Sequence, residues 1–392
     1  MLALQGRDPH EEHRVSSPLE LLVDLCFVVA VAQAASQLHH ALAEGHITDA
    51  LVGYPTVFFA IWWAWMNFTW FSSAYDDDTV IFRLGVFVQI AGVLILAAGV
   101  PRAFADEDFA VVIVGYVVMR LGLVSMWLLA SRGDPEHRTT TRRYALGVTL
   151  VQLGWICLVW VPVGWRYPVY VVLVAFDITV PIWAERTGLT PWHPHHIAER
   201  YGLFTIIVLG ESILSITLAV QVALDADEAL GAIAPIAIGA LLTVFAMWWM
   251  YFTQPTEEVV DHARDAWEAD QSKEPFIWGY GHSVIFASAA AVGAGFAVAV
   301  DAAMHTAHLS ARGVSLSVAV PVALYVIGVW ALHARGWARG AGKATATFAL
   351  AGLILLGGLL ALPVVVTGLL LVAGIGVFEV QARLRPAPGV SS

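Results

Sequence analysis

Charge is what this chain has least of. Of 392 residues only 13% are Asp, Glu, Lys or Arg, while 59% are hydrophobic; soluble domains carry nearer a quarter charged. That shortage excludes an ordinary soluble domain and predicts membrane residence. Cysteine is almost absent. Cys26 and Cys157 both lie within apolar stretches, so there is no disulfide framework and no cysteine metal motif, and each reads as a small buried hydrophobe. No basic cluster suggests nucleic acid and no nucleotide-binding motif suggests direct ATP drive. The net charge of −11 resides mostly in short loops such as Asp76-Asp77-Asp78 and Asp225 to Glu228. Met1 to Pro18 is polar and acidic, without the apolar stretch of a cleavable signal.

What the chain does have is a succession of apolar runs. A spanning helix needs about 20 mostly apolar residues. Twelve stretches approach that length: 18–42, 50–74, 80–100, 108–131, 143–163, 167–184, 199–224, 229–253, 277–301, 314–334, 344–361 and 363–382. Pro363 marks either a loop or a kink within one re-entrant unit, so eleven spans is the next count. Short cytoplasmic loops collect Lys and Arg. With the N-terminus inside, only Arg102, Arg166 and Arg312 of the 20 basic residues face outward, and Arg120 lies within a span. The chain is therefore expected to be all-α, a polytopic inner-membrane protein of about 12 transmembrane helices with both termini cytoplasmic.

An internal repeat divides it. Phe59-Ala60-Ile61-Trp62-Trp63-Ala64-Trp65 in the second span resembles Phe245-Ala246-Met247-Trp248-Trp249-Met250-Tyr251 in the eighth. Each follows a span that opens with a glutamate, Glu20 or Glu199. Six spans per half give two similarly oriented halves, 18–190 and 191–385, between an N-terminal segment 1–17 and a tail 386–392. Parallel repeats of this kind build some transporters. The plainer reading of the tryptophans is an interfacial belt.

Ionisable residues within apolar spans are costly and usually face a bundle interior or a watery cavity. Glu211 is the clearest case, an isolated acid deep in the seventh span. Gly210 before it and Ser212 and Ser215 after it are small, which favours close helix approach and supplies hydroxyls. A neutral acid there can exchange a proton and an ionised one can hold a cation; the structural alternative is a glutamate that glues helices together. Asp24 lies too deep in the first span to act as a cap, whereas Glu20, one turn earlier, suits an interfacial position where it complements the helix dipole. Arg120 and Asp177 lie near the centres of their spans, and Arg120 calls for a carboxylate partner, Asp177 or Asp24; such a pair can be purely architectural.

The mouth of the seventh span is crowded with His193, His195, His196, Glu199 and Arg200. His195 and Glu199 have the i, i+4 spacing of a salt bridge or of two metal ligands, too few for a metal site, and a charged interfacial anchor is the ordinary explanation. Arg200 and Glu211 share one helix face about 16 Å apart and would line one wall of a route inward. His282 and Gln89 are weaker candidates for the same polar core. Asn67, beside the tryptophans, suits positioning a ligand or capping a backbone group. Asp76, Asp77 and Asp78 read as a solvated turn with Arg83 as a partner for one of them.

These motifs resemble the bacterial low temperature requirement A family. The matching pieces are Glu20-Leu21-Leu22-Val23-Asp24-Leu25-Cys26-Phe27 with its continuation to Gln33, Trp62-Trp63-Ala64-Trp65 through Tyr75-Asp76, Glu199-Arg200-Tyr201-Gly202-Leu203 through Gly210-Glu211, and Met247-Trp248-Trp249-Met250-Tyr251-Phe252. They cover most of the first 250 residues. Members usually carry aromatic residues where this chain has Leu22-Val23. The resemblance implies a multi-pass inner-membrane protein named for a link to growth in the cold, and supplies no substrate or reaction.

The resulting expectation is a secondary transporter, proton-coupled through Glu211, of an unidentified small solute or ion, with Asp24, Asp177 and Arg120 tuning that site and Trp63 and Trp249 as matching walls. Lipids are the expected partners, with no nucleic acid and no cofactor. The competing classes are a stress-related membrane scaffold or sensor, and a membrane enzyme with a histidine and acid site at the cytoplasmic face.

Overall fold

The computed structural model describes residues 3–9, 11, 14–225, 230–254, 256–270, 273–334 and 341–383. Arg335, Arg339, Arg385, the tail 386–392 and most of the acidic stretch after Asp225 lie outside them. Among the described residues every regular element is helical. In order these are α1 (Pro18–Ala43), α2 (Ile47–Tyr75), α3 (Val80–Ala105), α4 (Ala110–Gly133), α5 (Arg138–Cys157), α6 (Val163–Glu185) and α7 (Pro194–Asp225). They continue with α8 (Leu230–Phe252), α9 (Thr256–Asp270), α10 (Glu274–Ala303), α11 (Ala311–Val329), α12 (Ala341–Leu359) and α13 (Val365–Arg383). A short 3-10 turn extends α5 and a π-turn, Trp330–Ala334, ends α11.

Ten of these helices are long and apolar enough to cross a membrane; the apolar parts of the last two, Ala344–Leu359 and Val365–Val380, are shorter. Pro363 sits in the turn between them, not within one bent helix. Between the apolar runs 229–253 and 277–301 lies α9. It is short and charged, so it carries no hydropathy signal, but Val260, Ala263 and Arg264 are buried at the spacing of one helix face.

The chain divides into two compact units. The first holds Met1–Gln37, Leu51–Ile207 and Glu257–Tyr280; the second holds Leu38–Ala50, Val208–Thr256 and Gly281–Ser392. This partition by packing differs from the partition by repeat, because α1, α7 and α10 each contribute to both units. In the first unit α3 and α4 touch backbone to backbone: a Cβ on Gly115 would lie 2.7 Å from the Gly92 carbonyl oxygen. In the second, α8 and α13 do the same, a Cβ on Gly368 falling 2.7 Å from the Gly239 oxygen. Small residues that let helices approach are the usual means of association where lipid removes the hydrophobic drive.

The 32-residue α7 would measure about 48 Å against a hydrocarbon core of about 30 Å. Its ends therefore overhang the span. Pro194 occupies the first helical position, where its missing N–H costs nothing. His193 precedes it and caps the helix, its Nδ1 accepting the His196 amide at 3.3 Å and its Nε2–H donating to the Glu11 carbonyl at 2.7 Å.

Candidate functional site

The first unit holds two buried acid–arginine pairs, each completed by an indole. In one, Arg200 on α7 donates from Nη2 to Asp24 Oδ1 on α1 at 2.6 Å, and neither side chain has any exposure. The same oxygen accepts the Trp65 indole N–H from α2 at 2.7 Å. Asp24 Oδ2 and Arg200 Nε and Nη1 make no hydrogen bond. In the other, Asp177 on α6 accepts the Trp155 indole N–H from α5 at 2.6 Å. Its Oδ1 lies 3.8 Å from Arg120 Nη2 on α4, too far for a hydrogen bond, and Arg120 stacks over the Tyr116 ring at 5.4 Å. So Arg120 has Asp177 as its carboxylate, and Asp24 is taken by Arg200.

A second layer surrounds Asp24. Glu20 at the start of α1 is buried. Ser17 and Glu20 form a reciprocal capping box: the Ser17 amide donates to Glu20 at 2.8 Å and the Glu20 amide to Ser17 Oγ at 3.3 Å. His196 Nε2 lies 3.2 Å from the same carboxylate oxygen. Arg14 donates to the Ser72 carbonyl at 2.8 Å and to that of Ser73, closing the last turn of α2, whose carbonyls would otherwise lack donors. Burial pushes the Arg14 guanidinium down to about 10, and lowers the His193 imidazole as well.

Several expected neighbours are separated. His195 pairs with Asp261 on α9 at 2.9 Å, and Glu199 accepts the Ser16 amide at 2.9 Å, so the i, i+4 pair on α7 is not a salt bridge. Among the described residues no group of three or more His, Cys, Asp or Glu side chains is placed to hold a metal. Asn67 donates to the Trp63 carbonyl one turn back at 2.7 Å, the backbone-capping alternative. The triple aspartate is not uniformly solvated: Arg83 grips Asp78 at 2.8 Å, but Asp76 is buried and its carboxyl is pushed by that burial up to about 6.

Glu211 belongs to the second unit. It is buried, Oε1 accepts from Ser215 on its own helix at 2.7 Å, and Oε2 has no partner. Ser212 beside it donates to the Ala289 carbonyl of α10 at 2.9 Å. His282 in the same unit is fully buried, with the Tyr251 hydroxyl 3.1 Å from Nε2 and the His333 ring 5.2 Å away. Gln89 is back in the first unit, against the Met126 sulfur at 3.3 Å. The two tryptophan repeats differ: Trp63 is 1% exposed and meets Tyr280 edge-on, ring centroids 5.4 Å apart, whereas Trp249 is 46% exposed and reaches Glu379 at 3.3 Å.

The motifs that frame this core, Glu20 to Asp24 and Glu199 to Glu211, lie within a match to the family model Bacterial low temperature requirement A protein (LtrA), which covers residues 15–379. The chain belongs to this family. It is accordingly a polytopic helical membrane protein. It is also similar to Uncharacterized protein RA0937 of Rhizobium meliloti (strain 1021), 28% identical over 281 residues, which cover 69% of this chain and 66% of that protein. The match thus spans just under two thirds of the length of that relative. No solved structure matches this LtrA-family chain.

Sequence reasoning missed Trp65, Trp155, Arg14 and Glu185. The indoles had a usable signal: a buried tryptophan N–H needs an acceptor. Glu185 ends α6 beside Arg186 and is buried, accepting from Tyr144 at 2.9 Å and from the Thr190 hydroxyl and amide at 2.8 and 2.7 Å.

Proposed function

We propose that the protein is a secondary transporter of a small solute, with Glu211 as the proton-exchanging residue. The observation that carries this reading is Glu211: a buried carboxylate within a spanning helix whose second oxygen has no partner. A structural glutamate of this kind would be expected to reach a neighbouring helix, and among the described residues this one bonds only to its own. Buried acids at membrane depth mark ion and proton routes more often than packing.

On this reading α12 and α13 complete twelve crossings, arranged as two similarly oriented halves, 18–190 and 191–385, with both termini in the cytoplasm. The likeness of the α2 and α8 tryptophan stretches and the distribution of Lys and Arg support it. The second reading, a membrane scaffold or sensor, has no observation of its own in its favour.

The test is reconstitution into liposomes loaded with a pH dye and challenged with a panel of ions and metabolites. A solute that acidifies or alkalinises the lumen with the wild-type chain, and ceases to do so with Glu211→Gln, is the expected result. Solute-driven proton movement that survives Glu211→Gln with the same pH dependence would remove Glu211 from the coupling role.

A further inference from the structure

Two cavities in the first unit share a wall. The outer one is a polar cleft of about 680 Å³, bordered by Arg7, Asp134, Glu136, His137 and Arg264. The inner one has free space of about 30 Å³, and its walls are largely aromatic: Trp70, Trp127, Tyr144, Trp192, Phe276 and Tyr280. Glu185 and Leu189 line both. Glu185 is the one carboxylate on the inner chamber, and no Arg, Lys or His borders that chamber.

Glu185 is held by neutral donors. Three donors from Tyr144 and Thr190 hold its two oxygens, and among the described residues it takes part in no ion pair. An ionised carboxylate offers about four acceptor positions, so one is left over. The cations of the cleft are engaged elsewhere. Arg7 pairs with Glu11 at 2.6 Å, His137 with Asp134 at 2.8 Å, and Arg264 lies over the Trp192 ring at 4.9 Å while donating to the Trp192 carbonyl. A buried carboxylate held by neutral donors, facing the rings of tryptophan and tyrosine, is the chemistry that recognises an organic cation. Arg264 on Trp192 shows the aromatic wall already holding one cation.

We propose that this chamber binds a primary ammonium group, with Glu185 accepting its N–H and the aromatic rings facing its charge, while the remainder of the amine extends toward the outer cleft. A quaternary ammonium has no N–H to offer Glu185, which sets it outside the class. An ammonium head supplies the N–H donors that the leftover acceptor position requires, whereas a bare metal ion would want several oxygens. The inference stands apart from transport and from Glu211; it concerns binding alone.

The experiment measures the melting temperature of the purified full chain in detergent against ethylammonium chloride, with NaCl holding ionic strength constant. A ligand bound by the folded state alone raises the melting temperature in a saturable way. That rise is expected with ethylammonium and not with NaCl, ethanol or tetramethylammonium chloride. Glu185→Gln should raise the apparent Kd by at least about tenfold, the loss of a charge-assisted hydrogen bond. Phe276→Leu keeps the bulk but removes one ring, and should raise it about two- to fivefold; it carries the test if the Glu185 variant does not fold. An equal response to NaCl, tighter binding of tetramethylammonium, no saturable response of the wild-type chain, or unchanged affinity in the variants that fold would each overturn the assignment.

Discussion

The two aspartate–arginine–tryptophan groups of the first unit use the same three side chains and build different contacts from them. At Asp24 the guanidinium and the indole converge on one oxygen at 2.6 and 2.7 Å. At Asp177 the indole takes one oxygen at 2.6 Å, and Arg120 stands off the other at 3.8 Å, resting against Tyr116. The first joins α1, α2 and α7, and its neighbours Glu20, His196 and Arg14 tie it to the capped ends of those helices. The second joins α4, α5 and α6. A buried ion pair contributes to stability mainly through what its removal leaves behind, an unpaired charge in a medium that cannot solvate it. The tight group therefore reads as a clamp, and the loose one as a pair whose arginine has room to change partners.

The largest effect should come from breaking the clamp. Arg200→Gln leaves Asp24 buried with only Trp65 as donor, and is expected to cost about 3–5 kcal/mol, the range for an orphaned buried charge. Adding Asp24→Asn removes the stranded charge, so the double variant should be more stable than Arg200→Gln alone. Thermal or denaturant unfolding in detergent of the four proteins of this cycle measures the coupling. A double variant that loses the sum of the two single losses would show that the contact at 2.6 Å contributes nothing as a pair.

Arg120→Gln should do less, about 1–2 kcal/mol, because no hydrogen bond is lost with it and Asp177 keeps its indole donor. The same unfolding assay ranks the two. If Arg120→Gln destabilises as much as Arg200→Gln, the contrast drawn from geometry fails, and both pairs belong to the scaffold.

Much of the fold was legible because hydropathy is a local signal. The second and seventh spans, read as 50–74 and 199–224, fall inside α2 and α7. Helix α9 escaped because its buried face consists of a few residues within a charged stretch. The site was legible only in its ingredients. Asp24, Arg120, Asp177, Arg200 and Glu211 could be picked out as ionisable groups in apolar surroundings, and Arg120 could be narrowed to two partners. That Arg200 belongs with Asp24, 176 positions away, is a property of how α1 meets α7, which periodicity does not encode. The burial of Glu20 was hidden for the same reason: its capping role is written in Ser17-x-x-Glu20, but its burial depends on α7 supplying His196. The tryptophan repeat gave likeness of sequence without likeness of surroundings, since Trp63 is enclosed and Trp249 is not.

Asp76 sharpens the comparison by showing a third way to bury an acid. It lies outside the spans, after α2, where Ser17 Oγ is 3.4 Å from one carboxylate oxygen and the Asp78 amide donates to the other at 3.0 Å. Burial first, and then the nearby Glu20 charge, push its carboxyl up to about 6 from 3.8. Because the folded value is the higher one, the native state holds the extra proton between those two values. The stability this contributes is fully present below pH 3.8 and is lost as pH rises through about 6. The size is on the order of 2–3 kcal/mol. Asp76→Asn should therefore be the more stable protein at neutral pH and should flatten the melting temperature between pH 4 and pH 7, while the wild-type chain becomes less stable over that interval relative to the variant. Parallel pH profiles of the two would mean that Arg7 and Arg14 hold Asp76 ionised, making it a third paired acid and not one relieved by protonation.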